Sequence, residues 1–130
     1  MRDAAHAIDS TTERAIRTIL KSRAESKIYL FLLRKNGART EEIIKGTKLH
    51  PSTVRELLSK MHHRKLICRK KLKNDSIGKN PFLYHAVTPL ELLQRYIRDM
   101  ESQLNTIVNL GASDKDHVVK INITKQSGEP

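Results

Sequence analysis

The chain has 130 residues, enough for one hydrophobic core and too few for two cores joined by a linker. Apolar residues make up 38% and charged residues 30%, and 25 Lys and Arg against 14 acidic residues leave a formal net charge of +11, a surface that attracts polyanions. The sequence has no run of about 18 apolar residues and its N-terminal stretch lacks an apolar segment, so neither a membrane helix nor a secretory signal is expected and a cytoplasmic, nucleoid-associated location is.

In chain order, Ser10 and Glu13 stand at capping-box spacing ahead of Ile16, Ile19 and Leu20, which predicts a short amphipathic helix from about Thr11 to Lys21. A second capping box, Ser22 with Glu25, opens a core helix carrying Ile28-Tyr29-Leu30-Phe31-Leu32-Leu33, with Gly37 as its left-handed stop. Its apolar residues cover more than one face, as in a helix wedged between the domain core and a second subunit. Thr40 is expected to cap a brief helix with Glu41 and Glu42 in its first turn and Ile43 and Ile44 facing inward. After the turn at Lys48-Leu49-His50, Pro51 takes a first helical position, and Val54, Leu57, Leu58 and Met61 recur at helical spacing to about His63. Two helices joined by so short a turn read as a helix-turn-helix.

The period then changes. Leu66-Ile67-Cys68 and Phe82 to Val87 read as two strands, separated by a polar stretch from Lys73 to Pro81 rich in turn formers, so a hairpin wing follows the helix-turn-helix. Cys68, the only cysteine, excludes an internal disulfide and is expected to act as a small hydrophobe in a strand. Thr88-Pro89-Leu90-Glu91 is a strong helix start, and Leu90, Leu93, Ile97, Met100, Leu104 and Ile107 alternate three and four residues apart, the seam of a short coiled coil ending near Leu110 and Gly111. The alternative for this helix is packing back on its own domain. Beyond Gly111 the sequence turns polar, although Val119, Ile121 and Ile123 alternate, so a mobile tail or a strand ordered only against a partner subunit is expected, with an edge strand as the alternative.

In a helix-turn-helix the second helix enters the major groove, N-terminal residues first, while cations hold the phosphates. His50, Ser52, Thr53, Arg55 and Glu56 take the early, non-core positions of that helix, with Arg55 suited to a bidentate contact with guanine and Ser59 a further polar candidate. Arg39 and Thr40 are placed to present a side chain and backbone amides to a phosphate. Lys60, Arg64, Lys65, Arg69, Lys70, Lys71 and Lys73 fall in a stretch without an acidic residue, and Lys79 adds charge at the wing tip. His62 and His63 are adjacent, so they diverge on a helix and cannot share a metal as an i, i+4 pair does; with Cys68 and His85 they raise no metal-site expectation. No nucleophile motif, carboxylate pair, phosphate-cradling loop or dinucleotide fingerprint is present, so neither an enzyme nor a cofactor is expected.

With these residues placed, the stretch from Lys27 to Leu104 resembles the N-terminal winged-helix domain of archaeal TrmB-like transcriptional regulators. The resemblance rests on Ile28 to Leu33, on Pro51-Ser52-Thr53-Val54 with Leu57 and Leu58, and on Tyr84-His85-Ala86-Val87-Thr88-Pro89-Leu90-Glu91. It implies DNA binding by the winged helix and dimer contacts through the helix from Pro89 onward. Similar full-length regulators carry a further domain that binds sugars, whereas only about twenty residues follow Gly111 here, so sugar sensing is not implied. Two positions depart from the pattern: Lys48 and Lys65 stand where glycine is usual, and each must accept a left-handed backbone or a shifted turn.

The expected fold is therefore mainly α, a winged helix-turn-helix with a two-stranded wing and a long C-terminal dimerisation helix. Its parts are an N-terminal helical extension (1–22), the DNA-binding domain (23–88), the dimerisation helix (89–110) and a polar tail (111–130). The expected function is sequence-specific binding of double-stranded DNA by a homodimer whose recognition helices sit about 34 Å apart. A small-molecule effector would fit the apolar junction between the first core helix and the long helix. The competing readings are a protein-binding winged helix in a larger complex and an RNA-binding or architectural protein. The acid-free basic stretch disfavours the first, and the 4% aromatic content disfavours base stacking in the second.

Overall fold

The structure, a computed structural model, describes residues 10–20, 22–72, 82–111, 113 and 116–127, and divides after Thr88 into two units. The first holds α1 (Ser10–Leu20), α2 (Arg23–Lys35), β1 (Ala38–Arg39), α3 (Thr40–Thr47), α4 (Pro51–His63), β2 (Ile67–Lys71) and β3 (Phe82–Ala86); the second holds α5 (Pro89–Val108). This is the expected mainly helical winged helix-turn-helix.

Local chemistry sets the boundaries. Ser22 caps α2 by accepting the Glu25 amide at 3.2 Å. The Glu25 side chain does not close the capping box, because its carboxylate is buried and takes both oxygens to Arg64 at 3.2 Å. The stop of α2 comes one residue before the expected Gly37, at Asn36 in the left-handed region with φ 58°. Gly37 is still required, since φ there is 113° and a Cβ would lie 2.6 Å from the His85 ring. The cap of α3 likewise shifts by one residue: Arg39 occupies the cap and its amide donates to Glu42 Oε1 at 2.7 Å, while Thr40 is buried.

The sheet has three strands rather than two, in the order β1-β3-β2, all antiparallel. Ala38 pairs with Tyr84 and Arg39 with Leu83 on one side of β3; Ile67 pairs with Ala86 and Lys71 with Phe82 on the other. A two-residue strand is too short for alternation to show in a sequence. Ile67 is the one buried residue of β2; from Cys68 onward the strand is exposed, so Cys68 lies in a strand as expected but offers its thiol to solvent. The hairpin tip, with Lys73 and Lys79, lies outside the described residues, as do residues 1–9 of the N-terminal extension.

The core gathers Leu20, Ile28, Tyr29, Leu32, Ile43, Val54, Leu58, Met61, Ile67 and Tyr84. Most of the apolar surface of α2 is covered by this chain itself, since α2 packs against α1, α3, α4 and β3, while Leu33 stays 39% exposed. Gly46 makes one of these contacts: a Cβ there would run into the Phe31 ring. A glycine inside a helix costs roughly 1 kcal/mol relative to alanine, and here it admits an aromatic ring against the α3 backbone.

The second unit corrects the expectation of a free tail or an edge strand. Val119 and Ile121 lie in an extended segment tied to α5 by side chains. The Val119 amide donates to Asn105 Oδ1 at 2.7 Å, Asn105 Nδ2 donates to the Val119 carbonyl at 3.1 Å, and the Ile121 amide donates to Glu101 Oε2 at 2.6 Å.

Gly46→Ala is expected to destabilise the protein by about 1 to 3 kcal/mol, the range for overpacking a filled site, measured as a lower urea midpoint at unchanged slope. Unchanged or raised stability would show that the Phe31 ring swings aside freely.

Candidate nucleic-acid interface

Helix α4, the second helix of the helix-turn-helix, is amphipathic in the simplest sense. Val54, Leu58 and Met61 are buried on one side. Opposite them Ser52, Arg55, Glu56, Ser59, Lys60 and His63 are all exposed, and Thr53 is half-buried at the margin. Four of the sequence candidates are already engaged. His50 caps the helix, its Nδ1 accepting the Ser52 amide at 3.2 Å and lying 2.9 Å from the Ser52 hydroxyl. That bond fixes Nδ1 as the acceptor and leaves the Nε2 proton as the free donor of the ring. Glu56 and Lys60 pair at 3.4 Å across one turn. Arg55 has no hydrogen bond, ion pair or ring contact among the described residues and lies on the exposed face.

The cations that follow divide into two groups. Arg64 is committed to the buried Glu25 carboxylate, so the structure places it as a strut between α2 and the end of α4 rather than as a free phosphate ligand. Arg69 lies 4.2 Å above the Phe82 ring, a cation–π contact that stiffens its side chain across the sheet. Lys65, Lys70 and Lys71 are exposed. Arg39 is split: its guanidinium comes within 3.9 Å of Glu41, while its Nε is buried without a partner. Thr40 is 1% exposed, which removes its side chain from the surface, because the chain turns inward as β1 hands over to α3.

Lys48 and Lys65 both adopt the left-handed conformation their positions demand, with φ of 60° and 63°. Lys48 closes α3 with its amide on the Ile44 carbonyl at 3.0 Å; Lys65 turns the chain from α4 into the sheet, its amide reaching the His62 carbonyl at 3.0 Å. Each turn thus holds a cation at a site where glycine would be less strained. Sequence reasoning missed the role of Glu25, whose spacing from Ser22 signalled a cap and whose true partner is 39 residues away.

His62 sits beside this surface with its pKa lowered from 6.5, first by loss of hydration and then by the nearby charges of Arg69 and His63.

The profile of the family described as "Sugar-specific transcriptional regulator TrmB" matches residues 22–90, more than half of the chain. A solved structure described as "Possible transcriptional regulator" from Methanosarcina mazei Go1 superposes with a TM-score of 0.60 at 19% identity, over 77% of this chain and 88% of that one, a likeness of fold. A mutant of S. aureus MepR gives a TM-score of 0.49 at 15% identity, over 88% and 84% of the two chains. No curated protein matches the sequence.

Two outcomes follow. Replacing Lys48 or Lys65 with glycine removes left-handed strain of about 1 to 2 kcal/mol, partly offset by the freedom glycine adds to the unfolded chain. A net gain of up to about 1 kcal/mol is therefore expected in urea denaturation, and a clear loss would show that the lysine side chains stabilise the turns. By NMR, His62 is expected to titrate below 6.5. Because the unfolded chain then binds the proton more tightly than the folded one, this group lowers stability as pH falls below that value; an inflection at or above 6.5 would contradict the assigned environment.

Proposed function

The chain belongs to the TrmB family of transcriptional regulators, and we propose that it acts by binding double-stranded DNA as a homodimer, with α4 in the major groove and the basic wing on the backbone or in the minor groove. The observation that carries this reading is the exposed face of α4, with Arg55 at its centre and Lys65, Lys70 and Lys71 beyond its end, all exposed and without an ion pair among the described residues. Arg55 supplies the bidentate fork for guanine, His50 offers its Nε2 proton, and Ser52, Thr53 and Ser59 supply smaller polar contacts. Arg39, the half-engaged Lys60 and the wing cations, including Lys73 and Lys79, hold phosphates.

Charge is segregated along the chain in the way this division of labour requires. Twenty of the 25 Lys and Arg and eight of the 14 acidic residues precede Pro89, a net of +12, while the last 42 residues carry five and six, a net of −1. DNA contact therefore belongs to the first unit and self-association to the second. On α5 the seam positions Leu90, Leu93 and Ile107 are exposed by 53%, 38% and 61%, and Ile97, Met100 and Leu104 are half-buried, so an apolar stripe remains for a second helix. No described helix is long and apolar enough to cross a membrane.

Selection of the tightest binders from random duplex DNA, at two salt concentrations, is expected to return a two-fold-symmetric consensus with half-sites about one turn, roughly 34 Å, apart. Salt-sensitive binding without a consensus would point to an architectural role, and no binding to a protein-interaction role. Arg55→Ala is expected to cost about 1 to 3 kcal/mol on the selected site and to relax base preference, whereas Lys70→Ala lowers the salt slope by about one unit on every sequence. Equal loss on all sequences for Arg55→Ala would remove its role as a base reader.

A further inference from the structure

We propose that the extended segment 117–124 and α5 form one composite surface on which a second copy of this chain docks; the inference rests on the homodimer reading and assigns the dimer contact to the strap as well as to the helix. Glu101 and Asn105 are one helical turn apart, a rise of about 6 Å, and Val119 and Ile121 are alternate residues of an extended chain, about 6.5 Å apart. The two spacings match, so successive strap amides meet successive turns of α5 in an antiparallel run. Asn105 uses both ends of its amide on Val119, replacing the neighbouring strand that the backbone would otherwise need, and Glu101 adds a charged acceptor for Ile121. The strap is therefore ordered on its own helix before any partner arrives, and its entropy cost does not fall on association.

The surface so built is unfinished on its outer side. Of the seven large hydrophobic residues most exposed among the described ones, only Leu33 lies in the first unit; Leu90, Leu93, Ile107 and Leu110 belong to the helix and its end, and Val118 and Ile123 to the strap. Between strap and helix runs a groove of about 300 Å³ in which Ile97, Ile121 and Ile123 lie among the polar side chains Gln94, Arg98, Glu101 and Asn122. Ile97 is a seam residue, so the groove opens directly beside the predicted coiled-coil stripe. In a two-fold pair each copy offers the isoleucines at this groove together with the exposed Leu93 one turn along and Leu90 two turns along, so that the apolar contacts repeat on both sides of the axis while the polar residues of the groove stay at the rim. The near-neutral charge of residues 89–130 lets two such surfaces meet without the repulsion that the basic first unit would impose.

The test is sedimentation of the full chain over a concentration series, with far-ultraviolet circular dichroism as a control for folding. The wild type is expected to dimerise. Val118→Lys with Ile123→Lys, both at exposed positions, is expected to raise the dimer dissociation constant at least tenfold with helicity unchanged, and Asn105→Ala to raise it by freeing the strap. Val118→Ser with Ile123→Ser keeps the reading falsifiable if the charged pair misfolds, and a weaker increase in the same direction is expected. If Ile97→Lys with Leu104→Lys dissociates the dimer while every strap variant leaves the constant within twofold of wild type, the strap is no part of the interface and the helix seam alone survives. A wild type that stays monomeric at all concentrations overturns both this inference and the homodimer reading.

Discussion

Helix α2 is buried along most of its length, and a helix so enclosed must find partners inside the protein for each polar group it carries inward. Glu25 answers this with Arg64, at the end of α4. Tyr29 answers it with the Val87 carbonyl at 2.7 Å, at the end of the last strand of the wing. Ser26, wholly buried, turns its hydroxyl back to the Ser22 carbonyl at 2.9 Å. The first two bonds reach across 39 and 58 residues of chain, so the placement of α4 and of the sheet both depend on this one helix. A carboxylate left in that position without its guanidinium would be strongly destabilising, even though Arg64 remains half-exposed and partly hydrated.

This anchoring has a cost in surface charge that the rest of the unit absorbs. Arg64 sits in the middle of the basic stretch, yet it serves the fold, and Arg69 is occupied with Phe82. The cations left free are lysines, in the turn after α4 and along β2. Lysine is a compact charge on a flexible stem that suits phosphate without reading a base, whereas the planar fork of Arg55 suits guanine. On the proposed reading, Arg55 on the helix and the lysines around it would divide base recognition from phosphate contact by the geometry of their charged groups.

The boundaries of most elements were legible because their signals are local. Pro51 after His50, the Ser22 hydroxyl before Glu25 and the three-and-four spacing of Val54, Leu58 and Met61 each act within one or two turns. What escaped was whatever depends on partners far along the chain. β1 exists only because β3 offers it an edge, the fit of Gly46 is explained only by Phe31, and Glu25 looked like a cap because its distant partner leaves no mark nearby. The apolar excess of α2 was legible as burial on several sides, and within the chain α1, α3, α4 and β3 supply most of the cover. The departures at Lys48 and Lys65 were legible as strain, since only two backbone solutions were open to a side chain there, and the left-handed one is taken.

The second unit shows how a polar stretch can be ordered without a core. Residues beyond Gly111 carry too little apolar surface to fold by themselves, and alternation over Val119, Ile121 and Ile123 suggested a strand with no sheet to join. A helix has no free backbone donors or acceptors along its middle, so it cannot extend a strand through its main chain. It can do so only through side chains that reproduce the spacing of a strand edge, and an amide at Asn105 with a carboxylate one turn earlier at Glu101 meets that condition. The alternation is therefore satisfied by a helix in place of a sheet. The price is that the strap's apolar side chains are only partly covered, with Val118 and Ile123 left at 62% and 43% exposure beside a helix whose own seam is open. An ordered segment that keeps its hydrophobic residues outward has solved its hydrogen bonding but not its burial, and the remaining apolar surface is what a symmetric partner would cover.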